Sequence, residues 1–444
     1  MNNTLLTDLY QLTMLQGYWH EGMAETAVFE LFVRKLPAGR NFLIAAGLAQ
    51  ALDYLEHLAF SEEEIAFLHD SGFFDARFLD QLASLRFRGD VDAMPEGTVF
   101  FPNEPVLRVT APLPQAQLVE TRLINLIQFQ TLIASKAVRC VLAAPGKTLV
   151  DFGLRRAHGS EAGLLAARAA YLAGFTGTSN VQAGSAFAIP IFGTMAHAYI
   201  MAHDDELAAF RGFALSQPDN VVLLIDTYDT LAAVDKVISL ARELAPKNIA
   251  IKAVRIDSGD LASLATEVRH KLDQAGFPQI GIFASGDLDE YALRRFQREA
   301  IPIDGYGVGT KLTTSSDAPY LNCAYKLQEY AGLPRRKVSS GKQTWPGSKQ
   351  VYRQRDSDGV LVEDILTTKG DVREGEPLLQ PVMRQGKRLS PHESLPSIRM
   401  RVVEELASLP SPIKALETPV SFEVEISEAL QRLTAETNRR LGLN

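Results

Sequence analysis

Unbroken runs of Val, Ile and Leu dominate the middle of the chain. They occur at 148–153 (TLVDFG), 189–197 (IPIFGTMAH), 221–230 (VVLLIDTYDT), 251–260 (IKAVRIDSGD), 280–289 (IGIFASGDLD) and 303–310 (IDGYGVGT). A strand covered on both faces reads as a continuous apolar run, so these six segments are expected to be buried parallel strands. The stretches between several of them switch to helical spacing, as at 230–244 and 260–275. Asp226, Asp257 and Asp287 each sit where a run ends, at intervals suited to a strand and its return helix. Polar groups at successive strand ends are the mark of the active face of a β/α barrel, and a doubly wound sheet is the competing architecture.

The flanks follow another rhythm. Residues 5–18, 45–58 and 115–143 carry apolar residues at helical spacing, 26–35 reads as a strand, and 87–109 reads as short strands broken by prolines and a glycine. Ser61 with Glu64 is the start signal of a further helix, a capping box. Towards the C-terminus, 351–365 reads as a hairpin turning at Asp358-Gly359, and a helical tail follows Glu423. No internal repeat or low-complexity stretch interrupts these zones.

The 444 residues amount to about three domains on a soft prior of ~150 residues each. With 46% hydrophobic and 22% charged residues, a large core is available and disorder is excluded as the main state. The net charge of -8 argues against nucleic acid and anionic membranes as partners, although a pocket for a small anion needs only a few local cations. Two cysteines, Cys140 and Cys323, cannot build a disulfide framework and suit a reducing compartment. No apolar run approaching ~18 residues is expected to span a membrane, and MNNTLLTDLY does not read as a signal peptide. A cytoplasmic protein is expected.

Several familiar chemistries are missing: no phosphate loop of the GxxxxGK[ST] type, no zinc spacing of His and Cys, no nucleophile elbow. DFG at 151–153 lacks the companion motifs of a kinase. What remains is a set of groups at strand ends. Arg155, Arg156 and Arg255 carry planar guanidinium forks that match carboxylate or phosphate oxygens, or that close an ion pair on the barrel face. Gly286, Gly307 and Gly309 would let backbone N–H groups approach a phosphate, or simply serve turns. Asp226, Asp257 and Asp287 suit magnesium or sugar hydroxyls, with helix capping as the plainer role. His197 is expected to end the apolar run 189–197, where an imidazole can act as base or phosphoryl acceptor or be a satisfied structural residue. His158 and His203 have no such setting, and HDDE at 203–206 reads as a solvated helix start. Phe152 and Tyr10 could stack on a flat ring or belong to the core.

Taken in order, these segments resemble the nicotinate phosphoribosyltransferase family. The carrying stretches are LLTDLYQLTMLQGYW (5–19), ETRLINLIQFQTLIASKA (120–137), DFGLRRAHG (151–159), GFTGTSNV (174–181), GTMAHAY (193–199), RIDSGDL (255–261), ASGDLDEY (284–291), GYGVGTKL (305–312) and YKLQEYAGLPRRKVS (325–339). The resemblance implies an irregular β/α barrel over 146–329 and a second α/β, sandwich-like domain from 1–145 plus 330–444. It implies homodimers with shared active sites and an ATP-coupled reaction of nicotinate with 5-phosphoribosyl 1-diphosphate, an entry step of NAD salvage.

Carried over by position, His197 resembles the histidine that ATP phosphorylates and Asp226 the aspartate that orients it. Phe152 and, from the other subunit, Tyr10 would sandwich the pyridine ring. Arg155 and Arg255 would face ring and pyrophosphate, and Thr194 would lie at the nicotinate site. Asp257 would help hold magnesium, while Gly286, Asp287, Gly307, Gly309 and Thr310 would hold the phosphoribosyl group. The related nicotinamide enzymes have an aspartate where this chain has Ser179, so the resemblance implies the acid rather than the amide. Two other readings stand beside this one: a phosphoribosyltransferase for nicotinamide or another pyridine acid, and a catalytically silent homologue acting as a binding protein.

Overall fold

The structure, a computed structural model, describes residues 4–443, and they form two compact units. One comprises 136–319, the other the two chain ends, up to 135 and from 320. Each boundary falls before the expected position. The strand Cys323–Tyr330 pairs antiparallel with Thr26–Val33 and so belongs with the chain ends, a long-range pairing that no local pattern announces.

In the 136–319 unit six parallel strands form one sheet. Across it the order runs Gly177–Thr178, Thr148–Asp151, Gly305–Val308, Gly281–Ser285, Ile251–Ile256, Val221–Leu224. The first strand in the sequence therefore hydrogen-bonds to the last, with Val308 opposite Asp151. A doubly wound sheet does not make that pairing; a barrel does. The sheet is a curled, open barrel, with the central residues Val150, Leu223, Val254, Ile282, Tyr306 and Val308 fully buried. The helices Thr230–Leu244 and Leu261–Gln274 bury residues three and four apart, among them Val234, Val237, Ile238 and Leu244 in the first.

The run 189–197 departs from expectation. It forms no strand; Ile191 makes a single parallel bridge to Thr178, and His197 opens a short helix, His197–Met201, instead of ending a strand. Pro190 cannot donate to a ladder, and Gly193 weakens any extension beyond the bridge, so the run leaves the barrel open at this point. The strand before it, Gly177–Thr178, is only two residues long and carries no period to read.

The chain-end unit holds a seven-stranded sheet, in which Thr26–Val33 lies between Cys323–Tyr330 and Pro105–Pro112. A four-stranded sheet is built on the hairpin of Lys349–Arg355 with Leu361–Thr368. The predicted capping box is formed by Ser61 and Glu64. The helix expected over 115–143 is broken at Val119 into Leu113–Leu118 and Glu120–Ala143. There Gln117 turns inward to donate to Glu120 and Gln11. Glu120–Ala143 is long and apolar enough to cross a membrane, contrary to expectation, yet 78% of its most apolar window is buried, which makes it a core helix.

Several buried charges in this unit are paired. Lys349 Nζ lies 2.7 Å from Glu30, and Arg353 binds both Asp364 and Glu405. Asp92 accepts from Arg108 and Arg384 at 2.5 and 2.7 Å. Burial alone would raise the Asp92 carboxyl, but Arg108, Arg384 and Lys369 outweigh it and hold the pKa at about 2. A carboxyl lowered on folding stabilises above its unfolded pKa and loses that stabilisation as pH falls through the folded value. Asp92 should therefore contribute about 2 kcal/mol above pH ~4, fading towards pH 2. Urea midpoints of wild type and Asp92→Asn, taken from pH 6 downward, should converge over that window. A constant gap would overturn the assignment.

Candidate active site

The C-terminal ends of the barrel strands bring most of the singled-out residues together. Arg255 lies on the strand Ile251–Ile256, opposite Phe283 of the next strand. Its Nη1 donates to Thr194 Oγ1 at 2.8 Å and its Nη2 to the Met195 carbonyl at 3.2 Å, while Nε is buried without a partner. The guanidinium carbon stands 6.0 Å from the centroid of the Phe152 ring, within cation–π range. Burial lowers the Arg255 pKa, Asp257 and Asp226 act against that, and the like charge of exposed Arg155 acts with it. A guanidinium stays charged at neutral pH even so.

Phe152 follows the strand Thr148–Asp151 and packs at 5.9 Å from Phe283. A Cβ at Gly307 would come within 2.4 Å of the Phe152 ring, so this glycine provides the space in which the ring lies against the sheet. Beneath it Asp151 is buried and binds three segments: it accepts from Gly153 N and Thr178 Oγ1 at 2.8 Å and from Thr313 Oγ1 at 3.5 Å. The Asp151 carbonyl accepts from Ser179 N at 2.8 Å, which fixes the backbone of Ser179 next to the base of Phe152. Burial raises the Asp151 pKa.

His197 and the aspartates form the other half. His197 Nε2 faces Asp257 Oδ2 at 3.9 Å, and Asp257 Oδ1 accepts from Ser285 Oγ at 2.5 Å. Asp226, expected to orient the imidazole, makes its hydrogen bonds to other groups. Its Oδ2 accepts from Asp257 N and Ser258 Oγ, and its Oδ1 is buried with no partner. The imidazole Nδ1 instead lies 3.1 Å from Thr227 Oγ1. None of the three strand-end aspartates is a helix cap: Asp229, Asp260 and Asp289 are the capping residues, two or three positions further on.

Gly286 and Asp287 both have positive φ, +101° and +50°. A Cβ on Gly286 would fall 2.1 Å from the Asp257 carbonyl oxygen, so the two loops touch only because this residue is glycine. Gly286→Ala should destabilise by about 1–3 kcal/mol through strain and displacement of the Asp257 loop, and should lower activity with it. An unchanged urea midpoint would refute this. Lys311 Nζ pairs with Asp287 and Asp289 at 3.2 and 3.1 Å, beside Gly309 and Thr310 at the next strand end.

Tyr10 lies on the helix Leu9–His20 of the chain-end unit and is 48% exposed. His158 is exposed, His203 bonds the Tyr199 carbonyl, and Asp205 of HDDE caps the helix Glu206–Ser216. Sequence reasoning passed over Asp151, Thr227, Ser258, Ser285 and Lys311. The available signal was adjacency, since each directly neighbours a residue already singled out or lies one position from one.

Asp226 Oδ1 is buried without a partner while its Oδ2 accepts from the Asp257 amide, and a carboxylate oxygen of this kind is a hard donor that magnesium accepts when substrate phosphates complete its shell.

An open parallel β/α barrel with a guanidinium, paired carboxylates, a histidine and close-approach glycines at one rim defines the class: an enzyme built for an anionic, phosphorylated substrate. The family is shown by similarity: the chain belongs to the nicotinate phosphoribosyltransferase family. Residues 5–128 match the family's N-terminal domain, 147–340 its core and 371–434 its C-terminal domain. The chain is 48% identical to the nicotinate phosphoribosyltransferase pncB2 of Mycobacterium tuberculosis, covering 96% of this chain and 92% of that protein. It is 42% identical to the nicotinate phosphoribosyltransferase of Bacillus subtilis, covering 79% and 73%. The crystal structure of human nicotinic acid phosphoribosyltransferase superimposes with a TM-score of 0.88 at 30% identity, covering 97% of this chain and 99% of that one.

Proposed function

We propose that the rim joins nicotinate to 5-phosphoribosyl 1-diphosphate, yielding nicotinate mononucleotide and diphosphate, and that ATP hydrolysis through a phosphorylated His197 is coupled to this step. The observation that carries the reading is the single cluster in which Arg255, held by Thr194 and Met195, faces the Phe152 ring while His197 faces Asp257. The lone pair of the pyridine nitrogen forms the new bond to the anomeric carbon. The bond from that carbon to diphosphate breaks and the diphosphate leaves with its electron pair.

The protein's work is alignment and charge stabilisation. Phe152 offers one face to the pyridine, Arg255 and Arg155 offer cations to its carboxylate and to the departing diphosphate, and Thr194 keeps Arg255 in place. The loops at Gly286–Asp287 and Gly307–Thr310 offer backbone to the phosphoribosyl group. Asp257, with Asp226 behind it, would hold magnesium, which supplies positive charge to the diphosphate. The imidazole of His197 takes the γ-phosphoryl group as the bond to ADP breaks, and water later releases phosphate. The phosphoryl charge beside the diphosphate site supplies new acceptor oxygens that bias binding and release.

The acid is preferred over the amide because Ser179 brings no carboxylate to the wall at Phe152. Exposed Ile191 and Phe192 lie beside the edge strand Gly177–Thr178, which supports a homodimer in which Tyr10 of a second copy closes the pyridine site. A cytoplasmic location fits a chain with only two cysteines, Cys140 and Cys323, of which burial pushes the Cys323 thiol up to about 12.

The test is nicotinate mononucleotide formation with and without ATP, with nicotinamide as competitor. His197→Ala should lose ATP stimulation and the acid-labile phosphate expected on the wild type. Full stimulation in the variant would refute the role of His197. Product formation only from another pyridine acid would refute the substrate.

A further inference from the structure

We infer that Lys311 is a positioning residue for the phosphoribosyl substrate: its ammonium holds the Asp287 carboxylate ready to accept from the ribose hydroxyls. The inference rests on the reading of Asp287 as part of the phosphoribosyl site and deepens it by naming what holds that side chain. Lys311 Nζ lies 3.2 Å from Asp287 Oδ2 and 3.1 Å from Asp289 Oδ2. The two aspartates are held very differently. Asp289 Oδ1 accepts from Tyr291 N and Ala292 N at 3.1 and 2.9 Å, which caps the helix Glu290–Arg298 and fixes the side chain, 20% exposed. The Asp287 side chain is 80% exposed, and among the described residues Lys311 is the one group bound to its carboxylate. The left-handed backbone of Asp287, which aspartate tolerates better than most residues, sets the start of the side chain but leaves its rotamer open.

An ionised carboxylate has only acceptor oxygens, so it can take the O–H groups of neighbouring ribose hydroxyls, provided that it faces them. A carboxylate loose in solvent samples several rotamers, and binding must then restrict it. An ammonium anchored on a helix cap removes part of that cost before the sugar arrives. It also separates two like charges: without Lys311, Asp287 and Asp289 would repel, and the exposed one would turn away. Burial alone would lower the Lys311 pKa, but Asp289 and Asp287 outweigh it and raise it, so the ammonium is charged at neutral pH. Lys311 stands next to Thr310, in the short helix after the strand Gly305–Val308, so its ion pairs also join the two loops assigned to the phosphoribosyl group. Exposed ion pairs contribute little to folding, so the effect belongs in substrate binding.

Titration calorimetry of the full chain with 5-phosphoribosyl 1-diphosphate and magnesium gives Kd, and steady-state kinetics with each substrate varied separates KM from kcat. Lys311→Met should raise Kd and KM for 5-phosphoribosyl 1-diphosphate about fivefold, the upper scale of one such ion pair. It should leave kcat, the nicotinate KM and the urea midpoint unchanged, and Lys311→Arg should restore most of the binding. Asp287→Asn, which keeps a residue suited to the left-handed backbone, should weaken binding at least as much. The double variant Lys311→Met with Asp287→Asn should bind no more weakly than Asp287→Asn alone, because the lysine acts through that carboxylate. Effects that multiply in the double variant would mean that the third N–H of Lys311 meets the phosphate directly, and would overturn the inference. So would wild-type Kd in Lys311→Met, with or without a lower urea midpoint. A wild type that binds 5-phosphoribosyl 1-diphosphate but forms no nicotinate mononucleotide would overturn the proposed reaction alone, since the binding constants still decide the role of Lys311. No binding by the wild type would overturn both.

Discussion

Arg255→Ala should reduce kcat/KM for nicotinate mononucleotide formation by about 10²–10³, the usual effect of removing one preorganised charge donor. The expectation comes from how this side chain is held. One N–H each of Nη1 and Nη2 is engaged by Thr194 and the Met195 carbonyl, so the guanidinium plane is fixed before substrate arrives, costs little to order and keeps donors to spare. Alanine also leaves Asp226 and Asp257 without the cation that balances them, so both substrates meet a more negative rim. Arg255→Lys should recover little, because an ammonium is a point charge on a flexible stem and cannot serve Thr194, Met195 and Phe152 in one plane. Steady-state kinetics with each substrate varied, beside thermal melts to verify folding, measure this. If Arg255→Lys retained most of the activity, bulk charge rather than the fixed fork would be what matters.

The same strand shows why much of this fold could be read in advance. Parallel strands covered on both faces must be apolar throughout, so 221–224, 251–256 and 281–285 stand out from their neighbours whatever the tertiary context. The helix Thr230–Leu244 was equally legible, since one buried face repeats at helical spacing. What local pattern could not specify are features decided by distant partners. Apolar composition at 189–197 suggested a strand, yet Pro190 leaves only the Ile191 bridge. The pairing of Cys323–Tyr330 with Thr26–Val33 joins segments from opposite ends of the chain, across the whole barrel sequence.

The site divides along the same line. Asp226 and Asp257 were visible as polar groups ending apolar runs, and the reading of them as helix caps fails because each helix starts later, with its cap three positions on at Asp229 and Asp260. Which of them touches His197 depends on where the helix His197–Met201 places its first residue, and that depends on the irregular segment before it. Thr227 could not be separated from its neighbour Asp226 by residue type alone. In space the imidazole meets the hydroxyl, and the carboxylate turns towards Ser258.

Ser179→Asp should lower the preference for nicotinate over nicotinamide, measured as the ratio of kcat/KM values, by on the order of 100-fold, the scale of a like-charge juxtaposition in a site. The position is well suited to the effect. Ser179 N is tied to the Asp151 carbonyl at 2.8 Å, and Asp151 also grips Gly153 and Thr178, so a side chain at 179 cannot retreat by moving its backbone without breaking that set. A carboxylate there would repel the nicotinate carboxylate and accept from the amide NH₂ of nicotinamide. It would also compete for the Arg155 and Arg255 cations that we propose meet the acid. Ser179→Asn separates charge from shape: its amide has the size of aspartate without the charge, so the ratio should move much less. Equal shifts for the two variants would mean that crowding, and not repulsion, governs the choice of ligand. An unchanged ratio in Ser179→Asp would mean that the pyridine substituent does not approach this wall, and the carboxylate would then have to face the Arg255 side of the ring.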